Sequence, residues 1–171
     1  MNSINWPEKY LPGMTDNFVS NEIIVYGLSM ERVWEALVNT RLWPEYYSNA
    51  SNILFPDGSG PKLKDGSHFT FITFGFLVAS EVVEFAPPAN GRAARLAWHG
   101  LIDGGTPDAM DLIHAWLIEE LPGGRLRVLT QESQIGKPAR AMAVTRPNPM
   151  LNAHQEWLDG IRETASSHAV H

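Results

Sequence analysis

Between residues 53 and 136, glycine and proline interrupt the chain at short intervals: Asp57-Gly58-Ser59-Gly60-Pro61, Asp65-Gly66, Gly75, Pro87-Pro88-Ala89-Asn90-Gly91, Asp103-Gly104-Gly105 and Pro122-Gly123-Gly124. Helices do not persist through such breaks, whereas antiparallel strands joined by turns require them. The spacing predicts strands near 53–55, 67–74, 78–85, 95–101, 112–120 and 125–135, and residues 19–26 read as a seventh that precedes them.

The hydrophobic period changes on either side of this block. Met30, Val33, Trp34, Leu37 and Val38 recur at helical spacing while Glu31, Arg32, Glu35 and Asn39 occupy the other face. Ser29 is placed to cap this helix, Leu28 to staple onto Val33, and Trp34 to be its buried central knob. A short helical piece follows at 42–47, with Pro44 tolerated in its first turn. Near the end, Asn148 can cap and Pro149 open a helix whose inner face is Met150, His154, Trp157, Leu158, Ile161 and Ala165. Residues 1–18, with Pro7, Pro12 and Gly13 among aromatics, read as an irregular arm packed on one domain spanning 19–167, and 168–171 as a frayed tail with His168 and His171 in solvent.

This order is an α+β architecture. Six consecutive antiparallel strands have to bury one face, and only the last helix is long enough to lie across so twisted a sheet. A seven-stranded curved sheet wrapped around one long C-terminal helix, with two short helices between strands one and two, leaves space between sheet and helix.

Composition narrows the function. Forty-four per cent of the 171 residues are hydrophobic, enough for one sizeable core. Thirteen basic against nineteen acidic residues give a net charge of −6 with no basic stripe, so nucleic acid is not an expected partner. The lack of cysteine removes thiolate catalysis and Cys-ligated zinc, and favours the cytoplasm as location. No N-terminal apolar region reads as a signal, and no run approaches the roughly 18 apolar residues of a membrane span. The sequence contains no G-x-S-x-G, phosphate-binding glycine loop, dinucleotide fingerprint or H-E-x-x-H. Asp103, Asp108 and Asp111 read as one solvated acidic loop without EF-hand spacing. Glu81 and Glu84 fall on opposite faces of a strand unless a bulge intervenes. Neither a metal nor an organic cofactor is expected.

The loop Pro122-Gly123-Gly124 sets the register of the last hairpin. A three-residue loop pairs Leu121 with Arg125, Glu119 with Arg127 and Leu117 with Leu129; on the alternate face it sets Ile118 against Val128, Trp116 against Thr130 and His114 against Glu132. A two-residue loop would set Glu119 against Val128, so the register that segregates the faces and matches opposite charges is preferred.

Several segments, in this order, carry a resemblance: Met30-Glu31-Arg32-Val33-Trp34-Glu35-Ala36-Leu37 followed by Leu42-Trp43-Pro44-Glu45-Tyr46-Tyr47; Arg95-Leu96-Ala97-Trp98-His99-Gly100; the Gly123-Gly124 hairpin ending in Glu132 and Gly136; and His154-Gln155-Glu156-Trp157-Leu158. Over roughly residues 19–167 the chain resembles the START-like, helix-grip SRPBCC superfamily and, within it, the polyketide cyclase/dehydrase family. The resemblance implies that Trp116 and Ile118, with Leu96 and Trp98 beside them, face the long helix, which contributes His154 and Trp157.

An aromatic cavity with a few polar groups is the expected site, with Phe71, Trp98, His114, Trp116, Thr130, Glu132, His154 and Trp157 as candidate ligand-binding residues. Phe69 and Phe71 are further candidates for its wall, but both faces of their strand carry apolar residues, so the choice of face is close to even. The leading expectation is a binding protein for a hydrophobic, lipid-like or aromatic small molecule, monomeric or homodimeric. The alternative is a cyclase, aromatase or dehydratase with His114 and Glu132 as acid and base. A cochaperone-like interaction module is the third.

Overall fold

The computed structural model describes residues 1–167, so the expectations for His168 and His171 lie outside the described residues. The strands are β1 (Asn17–Tyr26), β2 (Ser51–Leu54), β3 (His68–Thr73), β4 (Phe76–Ala86), β5 (Ala94–Ile102), β6 (Met110–Leu121) and β7 (Arg125–Gly136). Helices α1 (Met30–Val38) and α2 (Trp43–Tyr46) join β1 to β2, and α3 (Lys137–Val144) and α4 (Pro149–Ser167) follow β7. One curved antiparallel sheet runs in the order β1-β7-β6-β5-β4-β3-β2. The chain therefore crosses from one edge to the other through α1 and α2, then returns by consecutive hairpins. This is the helix-grip α+β architecture.

Local chemistry places the helix starts. The Ser29 Oγ accepts from the Arg32 amide at 3.3 Å, and the Asn148 Oδ1 accepts from the Met150 amide at 3.1 Å. Every inner-face residue expected of α4 is buried, from Met150 to Ala165. Trp34 is buried too, with its ring 5.3 Å from that of Phe85.

The central strands are covered on both faces. One face packs against α1, α2 and α4 through Leu96, Trp98, Trp116, Ile118 and Val128. The other carries Ala97, Ile113, Ala115, Leu117 and Leu129, on which Ile4 and Tyr10 of the first residues lie buried. Polar bonds hold that N-terminal stretch down: Lys9 and the Tyr10 hydroxyl to Asp111 at 2.6 and 2.7 Å, and the Asn2 backbone amide to Glu119 at 3.0 Å. Among the described residues no helix is long and apolar enough to cross a membrane.

Three local expectations are corrected. Helix α3 is absent from the sequence reading, because its residues are mostly small and only Ala139 is buried, leaving no periodic apolar face. A bulge between Val82 and Glu84 sets Glu81 opposite His99 and Glu84 opposite Ala97, so the two glutamates share the outer face. They form no pair there: Glu84 accepts from Asn5 at 2.7 Å. Asp111 belongs to β6 rather than to a solvated loop, and besides Lys9 and Tyr10 it meets His99 at 2.6 Å.

Candidate functional site

The β6–β7 register is the one set by the three-residue loop, with Leu121 opposite Arg125, Trp116 opposite Thr130 and His114 opposite Glu132. The pairing of β5 with β6 sets Trp98 opposite His114, and α4 brings His154 and Trp157 over the same spot. Between the sheet and α4 this leaves a cavity of about 30 Å³.

Six of the eight expected residues line it: Phe71, Trp98, His114, Glu132, His154 and Trp157. The other two lie behind the wall. Trp116 packs on His114, with ring centroids 5.0 Å apart, and the Thr130 hydroxyl sits 2.8 Å from His114 Nε2 while donating to the Ala115 carbonyl. Phe69 is buried next to Trp43 and Trp98 rather than at the cavity.

The aromatic wall is continuous. Trp157 stacks on Tyr47 at 4.5 Å and 20°, and Trp43 meets Trp157 edge-on at 5.0 Å. Trp43 is fully buried because its indole N–H reaches the Leu37 carbonyl at 2.9 Å, which ties α2 to the end of α1. Trp157 donates to the Tyr46 hydroxyl at 3.3 Å, whereas the indole N–H of Trp116 meets no partner among the described residues. Residues that sequence reasoning missed include Tyr47, Gln134, Met142 and Met150, together with Phe74 and Phe76 at the β3–β4 turn. The alternation of β7 could have found Gln134, two residues from Glu132 on the same face. Met142 carried no signal because α3 carried none.

At the base of the cavity three titratable groups are buried together. His114 Nδ1 lies 3.1 Å from Glu132 Oε1, and His154 Nε2 lies 3.8 Å from the same oxygen. The imidazoles of His114 and His154 stack, with centroids 4.5 Å apart and planes 14° apart. The other carboxyl oxygen, Oε2, accepts from the Gln134 amide, whose own oxygen accepts from Asn17 at 2.7 Å. Asn17 in turn accepts from Asn148, the cap of α4, at 2.8 Å, so a polar chain connects Glu132 to the start of that helix.

Burial dominates the electrostatics. It pushes the Glu132 carboxyl up to about 8 against the opposing Gln134 bond, and pulls His154 down to about 3. His114 is held well below its ordinary value by burial first and by His154 second. At neutral pH the three groups are therefore a carboxylic acid and two neutral imidazoles, able to donate and accept one proton among themselves.

No protein-family model matches the sequence, and no curated protein matches it. Among solved structures, a hypothetical protein of Helicobacter pylori, jhp0584, superposes with a TM-score of 0.91 at 47% identity, covering 96% of this chain and 97% of that one. The di-domain ARO/CYC protein StfQ of the steffimycin biosynthetic pathway gives 0.62 at 12% identity, over 90% of this chain and 53% of that one. A START superfamily protein of Mycobacterium smegmatis gives 0.51 at 12%, over 88% and 95%.

Proposed function

This chain belongs to one family with the Helicobacter pylori protein, on a START-like helix-grip fold of the SRPBCC type, and we propose that it encloses a small apolar molecule, lipid-like or aromatic, between sheet and α4. The observation that carries this reading is the cavity itself: aromatic walls around a base where His154 Nδ1 is buried with no hydrogen-bond partner among the described residues. Close-packed cores hold few voids that admit water, and buried polar nitrogens are ordinarily hydrogen-bonded.

The cavity holds about one or two waters, far below the roughly 300–1,000 Å³ of ordinary ligand pockets. Entry therefore requires side chains to move aside. Met142 and Met150 suit that role, since an unbranched thioether side chain repacks at little cost. Transfer of apolar surface from water supplies about 25 cal/mol per Å², so such a ligand is retained with little directional chemistry.

Incubation of the purified protein with a native lipid extract, followed by mass spectrometry of what stays bound, tests the reading. A discrete small molecule retained at near-equal stoichiometry is the expected result; a protein that recovers nothing overturns it.

The 3.1 Å approach of His114 to a protonated Glu132 favours a second reading, in which the pair acts as base and acid on the bound molecule in a cyclase- or dehydratase-type reaction. His114→Ala then abolishes turnover of any substrate found while the fold is kept. Unchanged turnover in that variant removes the reading.

A further inference from the structure

We propose that His114, Glu132 and His154 form a site for one divalent transition-metal ion at the base of the cavity, with a further coordination position open to it. The three come from β6, β7 and α4, and one ligand atom of each lies within 4.8 Å of the others. A donor set split over three elements has no linear motif, so the lack of H-E-x-x-H or cysteine pairs in the sequence does not bear on it.

The spacing of the three groups is near that of a metal site, and a small closure about the ion completes it. Two ligands of one zinc-like ion, each at about 2.0–2.2 Å, stand roughly 3–3.5 Å apart. Glu132 Oε1 is 3.1 Å from His114 Nδ1 and 3.8 Å from His154 Nε2. The supporting bonds leave the right atoms free: Gln134 occupies Oε2, not Oε1, and Thr130 meets His114 at Nε2, not Nδ1. Metal sites orient their ligands with such outer contacts.

Charge supports the same conclusion. Among the described residues the ion-pair contacts of Glu132 are with His114 and His154 alone, so no Lys or Arg competes with a metal ion for the carboxyl, which gives up its proton on binding the ion. His154 is 2% exposed, and among the described residues no group hydrogen-bonds its Nδ1. The two rings stack with centroids 4.5 Å and planes 14° apart, so binding all three ligand atoms to one ion requires the His154 ring to turn. The nitrogen-rich donor set suits zinc, iron(II) or cobalt(II) better than magnesium or calcium. The adjoining space admits one water on the ion, at the position where an oxygen of an enclosed molecule would be polarised.

This inference does not depend on ligand capture, and its test reads the metal alone. Chelator-stripped protein is titrated with Co²⁺, followed by calorimetry and by the visible d–d absorption. The expected result is one Co²⁺ per chain with a four- or five-coordinate spectrum. Glu132→Gln and His154→Ala, with the fold verified by circular dichroism, lose the band. Thr130→Val keeps it and weakens affinity about 10–100-fold. A wild-type chain that takes up no stoichiometric Co²⁺, or uptake that survives both ligand substitutions, overturns the proposal. Lipid retention by the stripped protein scores the ligand reading separately.

Discussion

Trp34 illustrates how one side chain secures a helix against a sheet. It sits at the centre of the apolar stripe of α1 and is 8% exposed, its ring tilted 57° to that of Phe85 on β4. Truncation removes the indole from a packed site and leaves a cavity in its place, so Trp34→Ala is expected to cost about 3–5 kcal/mol in denaturant unfolding. A second residue acts through the backbone. Gly136 has φ of 136°, and a Cβ there would stand 2.2 Å from the Ala109 carbonyl oxygen. Gly136→Ala is expected to lose at least about 1–3 kcal/mol and to loosen α3, read as faster amide exchange over residues 137–144. An unchanged unfolding midpoint would mean that the turn relaxes freely.

At the scale of elements, the N-terminal stretch is held to the outer face of the sheet by two carboxylates. Burial tends to raise the Asp111 carboxyl, but bonds from Lys9, Tyr10 and His99 outweigh it and hold the group below its usual value. For Glu119 burial is likewise outweighed, by the Asn2 backbone and side chain and by Arg127. A carboxyl depressed in the folded state contributes stability that is present above its unfolded value and lost as pH falls through the folded one. Docking of residues 1–11 is therefore expected to persist at neutral pH and to fail below about pH 4. Amide exchange of that stretch, corrected for its intrinsic pH dependence, reports the release. Asp111→Asn moves the release toward neutral pH; an arm that stays protected at low pH in both proteins would show that Ile4 and Tyr10 hold it by apolar contact alone.

For the whole molecule, anything that binds the folded state raises its stability by mass action. A ligand at about 100 times its Kd adds about 2.7 kcal/mol, which for a chain of this size raises Tm by roughly 5–10 °C. The molecule recovered from lipid extract is expected to give such a shift on the wild type. Trp157→Ala, which opens the aromatic wall next to Tyr47, is expected to remove most of it. An equal shift in both proteins would place the binding outside the cavity.

Periodicity and loop length by themselves determined the order of the strands and of α1, α2 and α4, the strand bounds to within two residues, and the pairing of His114 with Glu132, because both act over a few residues and leave one consistent register. The N-cap Ser29 and the inner face of α4 were legible for the same reason. The bulge at Val82, helix α3 and the capture of Asp111 by the N-terminal stretch were not, since each depends on partners distant in the chain. The tertiary structure also decided that His154 stacks on His114 and shares one carboxyl oxygen with it. That contact joins β6, β7 and α4, and only the closure of the sheet around the helix brings the three within reach.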